Sequence, residues 1–265
     1  MELLQIEEPG RRSDALDDPG IALGLELTGT ALRLAAAVGG NAEPFRADSG
    51  GVDFLPALSG YDEAGALVAG VPGLADLTAI GLDALTMPDQ PDARGVAVGE
   101  RVTALMAAAG RRVVQLTGRP IAGAAVVVPL DSTSGLRFAL LQAVEAAGIP
   151  VLRLVEAPVA LAASLGLGAG GEGAYLHLAA VPSGLALARL EVEGGVIRLV
   201  GGAAVRHVDE LPALIAAEGR LLGVIAPGLA DAAAIAAASG IRLIEGGAAP
   251  EAAVCGAALL AEASL

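Results

Sequence analysis

One stretch, residues 121–168, constrains the fold of this chain more than any other. Its sequence, IAGAAVVVPLDSTSGLRFALLQAVEAAGIPVLRLVEAPVALAASLGLG, predicts strands over 124–128 and 151–155, a helix over about 136–147 and a second helix from Pro158. The first strand is apolar on both faces, as is typical of a parallel strand covered by helices on both sides. Asp131 to Ser134 supply capping groups ahead of the first helix, and proline is tolerated in a first helical turn. The stretch is therefore a β-α-β-α unit and predicts an α/β fold with right-handed crossovers.

Charge and composition exclude several classes of function. The net charge of −14 over 265 residues disfavours binding to nucleic acid and to anionic membranes. All 16 basic residues are arginine, which excludes Schiff-base chemistry and a phosphate-binding lysine. The single cysteine, Cys255, excludes an internal disulfide and fits a reducing compartment. It lies in an alanine-rich helical run, so we expect a small buried hydrophobe rather than a nucleophile.

Residues 1–20 are acidic and have no apolar core, so they do not form a signal peptide. We expect them to be a disordered or loosely docked leader. No run of the chain reaches the roughly 18 charge-poor apolar residues of a membrane span. The predicted location is cytoplasmic.

The remaining elements form a pattern that occurs twice. The sequence predicts a turn at GGNAEP, which follows the second strand, and a glycine-rich joint at GLGAGGEG. The order βββαα, βαβα, βββα, βαβα predicts two similar halves, at 21–170 and 171–248, with a closing helix in 249–265 that packs back on the first half. Predicted strands cover 21–27, 31–38, 52–58, 66–69, 174–178, 185–190, 196–200, 221–225 and 241–244. Predicted helices cover 74–85, 96–110, 211–218, 231–239 and 250–263.

Five local strings follow one another in the order found in one known family. VVVPLDSTSGLR carries Pro129 and, eight residues later, Arg137, and GIPVLRLVEAPVALAASLGL follows it. GLELTGT and ALVAGVPG precede these strings, and PEAAVCGAALLA closes the chain. Together they resemble the ATPase domain of the 70-kilodalton heat-shock chaperones of the DnaK type, within the actin-like superfamily. This resemblance implies an actin-like ATPase fold made of two ribonuclease-H-like halves.

The chain departs from that family at the positions that handle nucleotide. Glu26, Thr28, Gly29 and Thr30 stand where the first phosphate loop would be, with Gly and Thr exchanged. The position of the catalytic lysine falls on Leu74. Ala157 stands at the position of the glutamate in the N-E-P string, and Glu156 lies one residue before it. Residues His177 to Pro182 replace the second phosphate loop. The adenosine loop is replaced by Ala226-Pro227-Gly228. Only one short helix is predicted between His207 and Leu221, so we expect a truncated second half without the adenine-clamping subdomain, and a chain that ends at Leu265 without a peptide-binding domain.

These departures favour a pseudo-ATPase that binds other proteins as an assembly factor, chaperone or scaffold. Each lost electrostatic stabiliser costs about 3–4 kcal/mol in a transition state, so the loss of several leaves no useful ATP hydrolysis. We therefore expect no catalytic residue, no metal and no cofactor. The expected partner is a protein client, a complex partner or a second copy bound through an exposed apolar surface. The alternative is a residual ATPase similar to the chaperone-like proteins of ethanolamine-utilisation operons. It would bind ATP and magnesium through Glu26, Thr28, Gly29 and Thr30, and a small-molecule kinase is the third candidate.

Four further features have structural explanations. We expect His177 to be a partly buried histidine at a strand end, and His207 to be a surface histidine. Arg137 is expected in a salt bridge on a helix face, rather than in a nucleotide-sensing switch. The run from Asp131 to Ser134 has no histidine placed to activate a serine, so helix capping explains it.

Overall fold

Two mixed β-sheets with a pair of helices packed between them form the framework of the computed structural model. The model describes residues 20–47, 53–181, 184–205, 208–245 and 249–265. The predicted leader, apart from Gly20, lies outside the described residues, as do Val52, Pro182 and His207.

The first sheet has the strand order β3-β2-β1-β8-β9, and β4 pairs with β2. Strands β1, β2 and β3 form an antiparallel meander, whereas β8 is parallel to β1 and β9 is parallel to β8. Leu23, Leu25 and Leu27 are fully buried in the main core cluster, as the apolar sequence of β1 predicts. The strands are β1 (Ile21–Leu27), β2 (Ala31–Val38), β3 (Asn41–Pro44), β4 (Leu55–Pro56), β8 (Ile121–Val128) and β9 (Val151–Glu156).

The second sheet repeats this arrangement, with the order β12-β11-β10-β13. Its first three strands again form an antiparallel meander, and β13 is parallel to β10. A parallel bridge between Val224 and Leu243 stands in the fifth position, where we predicted a full strand over 241–244. The strands are β10 (Gly173–Val181), β11 (Gly184–Glu193), β12 (Val196–Val205) and β13 (Gly223–Ile225).

The helices complete a layered α/β architecture. Helices α1 and α2 cover one face of the first sheet, and α5 and α6 pack on the outer face of the second. Helices α3 and α7 lie between the two sheets, where small residues allow close approach. This mixed α/β architecture is compatible with the expected actin-like fold. The helices are α1 (Val98–Thr117), α2 (Ser134–Ala146), α3 (Ala157–Ser164), α4 (Leu167–Gly170), α5 (Leu211–Ala217), α6 (Ala232–Ala238) and α7 (Ala252–Glu262).

The helix predicted over 74–85 is wrong. Residues Ala75–Ala79 form strand β7, which pairs with β5 (Leu58–Tyr61) in a small sheet that also contains β6 (Leu67–Ala69). Only a single turn of 3-10 helix, Ala84–Thr86, follows. Hydrogen bonding to β5, which no local pattern encodes, decides the conformation of this segment.

Two smaller differences have local causes. Helix α1 continues past the predicted end at residue 110 to Thr117, because Val113 extends its buried stripe. It ends at Gly118, whose left-handed φ of 68° suits a glycine helix cap. The turn predicted at GGNAEP is confined to Gly39 and Gly40, because residues from Asn41 already pair with β2.

Candidate functional site

The strand ends that carry the predicted site meet at one edge of the first sheet. Strands β1, β8 and β9 are parallel, so Glu26 near the end of β1 and Glu156 at the end of β9 lie at the same edge. In open α/β sheets, ligands bind outside the carboxyl ends of the strands. This edge is therefore the candidate site.

The turn from Thr28 to Thr30 is held by local hydrogen bonds. The Thr28 side-chain oxygen, Oγ1, accepts hydrogen bonds from the backbone N–H of Thr30 at 3.3 Å and of Ala31 at 3.0 Å. The N–H of Thr28 donates to the carbonyl of Ala31 at 2.8 Å. Phosphate loops bind anions through free backbone N–H groups. Near this turn, three backbone N–H groups already donate hydrogen bonds within the chain and are not free for phosphate.

A second segment packs against the same turn. The N–H of Leu82 donates to the carbonyl of Thr28 at 2.9 Å. Gly81 lies so close to Gly29 that a Cβ added at Gly81 would be 2.1 Å from the Gly29 carbonyl oxygen. This approach requires glycine at position 81, and it places backbone where a ligand would approach the turn.

Glu26 is held in an ion-pair network. Its carboxylate lies 3.5 Å from Arg33, and Arg33 also contacts Asp53 at 2.9 Å. Burial raises the pKa of Glu26, and the Arg33 charge partly opposes this rise. Arg33 further donates to the carbonyl of Pro250 at 3.2 Å, which ties β2 to the start of the closing helix. Sequence reasoning missed Arg33, although a lone charge between buried residues of a strand was an available signal.

The predicted salt bridge of Arg137 is present. Its guanidinium donates to Glu156 at 2.8 Å and to the Ser132 hydroxyl at 2.9 Å. The Thr133 hydroxyl caps α2 by accepting from the N–H of Leu136, so the capping interpretation of this run is also confirmed. The pair joins the first turn of α2 to the end of β9 and gives Glu156 a cationic partner.

A cavity of about 270 Å³ lies where the altered family positions converge. Ala157 from the start of α3, His177 and Ala179 from β10, and Pro227 and Gly228 after β13 line it. Leu161, Ala249, Pro250 and Ala253 complete the described lining. The three positions that the resemblance assigned to the acid, the second phosphate loop and the adenosine loop are thus neighbours in space.

His177 is the one ionisable side chain among the described lining residues. It is only 6% exposed, and its Nδ1 atom has no hydrogen-bond partner among the described residues. Burial lowers the pKa of His177 to about 4, so the imidazole is neutral at pH 7. We predicted this residue at a strand end, whereas β10 continues to Val181.

The other singled-out residues lie away from this cavity. Leu74 packs against Gly60 of the small sheet, where a Cβ on Gly60 would be 2.8 Å from the Leu74 Cβ. Cys255 is half-buried in α7, and burial together with Glu251 raises the pKa of its thiol. A raised pKa is the opposite of what an activated cysteine nucleophile needs.

The chain is similar in sequence to chaperone proteins of several bacteria. No family model matches the chain. A chaperone protein HscA homolog from Bordetella petrii is 32% identical, and the match covers 66% of this chain and 32% of the relative. HscA homologs from Aromatoleum aromaticum and Chromobacterium violaceum are 28% and 29% identical over 66% of this chain and 32% and 33% of their own lengths.

The resemblance to 70-kilodalton heat-shock chaperones is therefore confirmed over two thirds of the chain. The chain spans about a third of the length of the curated relatives that it matches. Within the part of the chain that the structure describes, no helix has the length and apolarity needed to cross a bilayer.

Proposed function

From this relationship to the 70-kilodalton heat-shock chaperones, we propose that the chain is a pseudo-ATPase that binds other proteins. It acts as an assembly factor, dedicated chaperone or scaffold and does not hydrolyse nucleotide. Its partner is a protein client or a member of a complex.

The cavity at the convergence of the nucleotide positions carries this proposal. The side chains among its described lining residues are apolar apart from the neutral imidazole of His177. Magnesium prefers oxygen ligands, and triphosphates are held by cations and free N–H groups. No carboxylate and no arginine is among the described lining residues, so these residues do not fit a magnesium triphosphate.

Two further observations support the absence of hydrolysis. The cavity volume of about 270 Å³ is slightly below the range of about 300–1,000 Å³ typical of small-molecule sites. The candidate phosphate loop spends the N–H groups of Thr30 and Ala31 on the Thr28 hydroxyl, and Gly81 packs against Gly29. Both features leave less room and fewer donors for phosphate.

Protein binding is supported by the relatives and by the surface of α2. The curated relatives are named as chaperones. Phe138 is one of only three phenylalanines in the chain, and its side chain is 59% exposed on α2. Aromatic residues are enriched at protein interfaces, so an exposed phenylalanine in a chain so poor in aromatics indicates a contact surface.

The test combines nucleotide binding with client protection by the full chain. We expect titration calorimetry with ATP or ADP in the presence of magnesium to show no binding up to about 1 mM nucleotide. A dissociation constant of 1 mM corresponds to a binding free energy of only about −4 kcal/mol. We expect light scattering to show that the chain slows aggregation of a chemically unfolded reporter protein equally with and without ATP. Phe138→Ser should weaken this protection, whereas the matched change Phe45→Ser, which removes a ring that lies tilted against Phe54 within the fold, controls for loss of stability.

The residual-ATPase alternative predicts the opposite results. It requires micromolar ATP binding and turnover that the double change Glu26→Ala, Thr30→Ala abolishes. Either micromolar nucleotide binding or ATP-dependent release of the reporter would overturn the proposal.

A further inference from the structure

A second concavity, here called the rear groove, lies at the opposite edge of the first sheet. It has a volume of about 720 Å³ and runs between the second half of α1, the α1–β8 connection and the α2–β9 loop. These loops precede β8 and β9, so the rear groove is at the amino ends of the strands and separate from the candidate site. Its lining includes Gly110, Arg111, Val114, Arg119, Pro120 and Ile149.

The rear groove presents accessible apolar surface. Val114 remains 42% exposed, although it projects from a long helix whose opposite face is buried. Gly110 and Gly118 lie along the same wall and have no side chains to fill the space. A groove of this kind is suited to a short apolar segment.

The chain itself arrives at the rim of the rear groove. The Arg119 guanidinium donates to the carbonyl of Gly20 at 3.0 Å, and the N–H of Ile21 donates to the carbonyl of Pro120 at 2.9 Å. Arg119 and Pro120 both line the rear groove. Residues 1–19 therefore join the described part of the chain next to this surface, and 16 residues from Gly20 back to Leu4 can span at most about 50 Å.

The charges of the rear groove and of residues 1–19 are complementary. Arg111 and Arg119 are the charged side chains among its described lining residues. The apolar residues near the start of the segment include Leu3, Leu4 and Ile6. Its acidic residues outnumber Arg11 and Arg12 and are Glu2, Glu7, Glu8, Asp14, Asp17 and Asp18.

From these observations we infer that the rear groove is the docking site of residues 1–19 of the same chain. Leu3, Leu4 and Ile6 contact its apolar wall, and the acidic residues after them face Arg111. Covalent linkage next to the rear groove gives the segment an effective concentration in the millimolar range, so modest contacts suffice. Docking covers the apolar wall. The inference concerns a different surface from the proposed function and does not depend on it.

Disulfide trapping in the full chain tests this inference. In a Cys255→Ser background, Leu4→Cys is combined with Val114→Cys, which lines the rear groove, or with Leu116→Cys, which is exposed on α1 but does not line it. We expect an intramolecular disulfide to form at least about tenfold faster in the Val114 pair than in the Leu116 pair. Arg111→Glu should slow trapping, and Glu7→Arg with Glu8→Arg should restore it.

Equal trapping rates in the two pairs would overturn the inference, as would a lack of response to Arg111→Glu. A disulfide-linked dimer that increases with protein concentration would also overturn it, because a second copy would then occupy the rear groove. A nitroxide attached at Leu4→Cys in the same background provides a measurement that needs no change in the groove. It should broaden the amide NMR signals of Gly110 and Gly148 in dilute solution, and unchanged signals would contradict docking.

Discussion

Arg137 and Glu156 form a 2.8 Å ion pair that joins the first turn of α2 to the end of β9. Both side chains are about 30% exposed, so the pair is intermediate between a surface contact and a buried one. It connects the two β-α units of the stretch from which the fold was first predicted. It also engages Glu156, the acidic residue next to Ala157, which the resemblance aligns with the glutamate of the N-E-P string.

Removing this pair should destabilise the fold modestly. We expect Glu156→Gln to lower the free energy of unfolding by about 1 kcal/mol, because a partly exposed ion pair contributes little more than that. Arg137→Met should cost more, since it also removes the hydrogen bond to Ser132. Urea denaturation measures both. Arg198→Met is the matched control, because its partner Glu193 is 3.9 Å away and both are largely exposed, and it should change stability little. An equal loss in Arg198→Met would contradict the assignment.

Arg101 should hold the small sheet to α1. It is 2% exposed, forms an ion pair with Asp92, and donates to the Ser59 hydroxyl at 2.7 Å and to the Tyr61 hydroxyl at 3.1 Å. Asp92→Ala leaves a buried cation without its counter-ion, so we expect a loss of about 3–5 kcal/mol. Hydrogen exchange of the β5 amides should accelerate in this variant, while exchange in β8 changes less. Asp76→Asn, which removes the charge of the exposed pair with Arg94 and keeps a residue type that tolerates the left-handed φ of 52° at this position, should have little effect.

The buried His177 should make stability depend on pH. Its pKa is about 4 in the folded state and about 6.5 when unfolded, so the unfolded state binds a proton first as the pH falls. The neutral imidazole therefore makes its full contribution to the free energy of unfolding above pH 6.5. This contribution declines as the pH falls, and below pH 4 about 3 kcal/mol has been lost in total. Between pH 7.5 and pH 5 we expect a loss of about 2 kcal/mol.

His177→Leu should remove the part of the pH dependence of stability that comes from this residue. Urea denaturation of both proteins at the two pH values isolates it, because the remaining titratable groups are shared. The variant should be about as stable as the parent at pH 7.5, since Nδ1 has no partner to lose among the described residues. Identical pH dependence in the two proteins would show that His177 is not buried in its neutral form.

Gly256 should be required for the contact between α3 and α7. A Cβ at this position would be 1.7 Å from the carbonyl oxygen of Ala160, so the helices would have to separate. We expect Gly256→Ala to destabilise the protein by at least about 2 kcal/mol, although alanine is the better helix former by about 1 kcal/mol. Gly135→Ala in α2 is the matched control, because the nearest atom to its Cβ would be 3.9 Å away. Thermal unfolding should show Gly135→Ala to be neutral or stabilising.

The sequence by itself determined the β-α-β-α unit of residues 121–168 and the positions of most other strands and helices. Apolar runs in β1, β8 and β10 identify buried strands because both of their faces must be covered. The Thr133 cap and the proline in the first turn of α3 marked helix starts, because these signals act through atoms only a few residues away. Short local strings were also enough to identify the relationship to heat-shock chaperones.

Only the tertiary structure decided how distant residues meet. The segment Ala75–Ala79 is a strand because β5 supplies its hydrogen bonds, and the contact of Arg33 with Pro250 joins positions far apart in the sequence. The cavity brings Ala157, His177 and Gly228 together because the start of α3 lies beside the point where His177 of β10 pairs with the last residue of β13. Its apolar character depends on which side chains face inward, and the burial that holds His177 neutral comes from packing between the two sheets rather than from its neighbours in the chain.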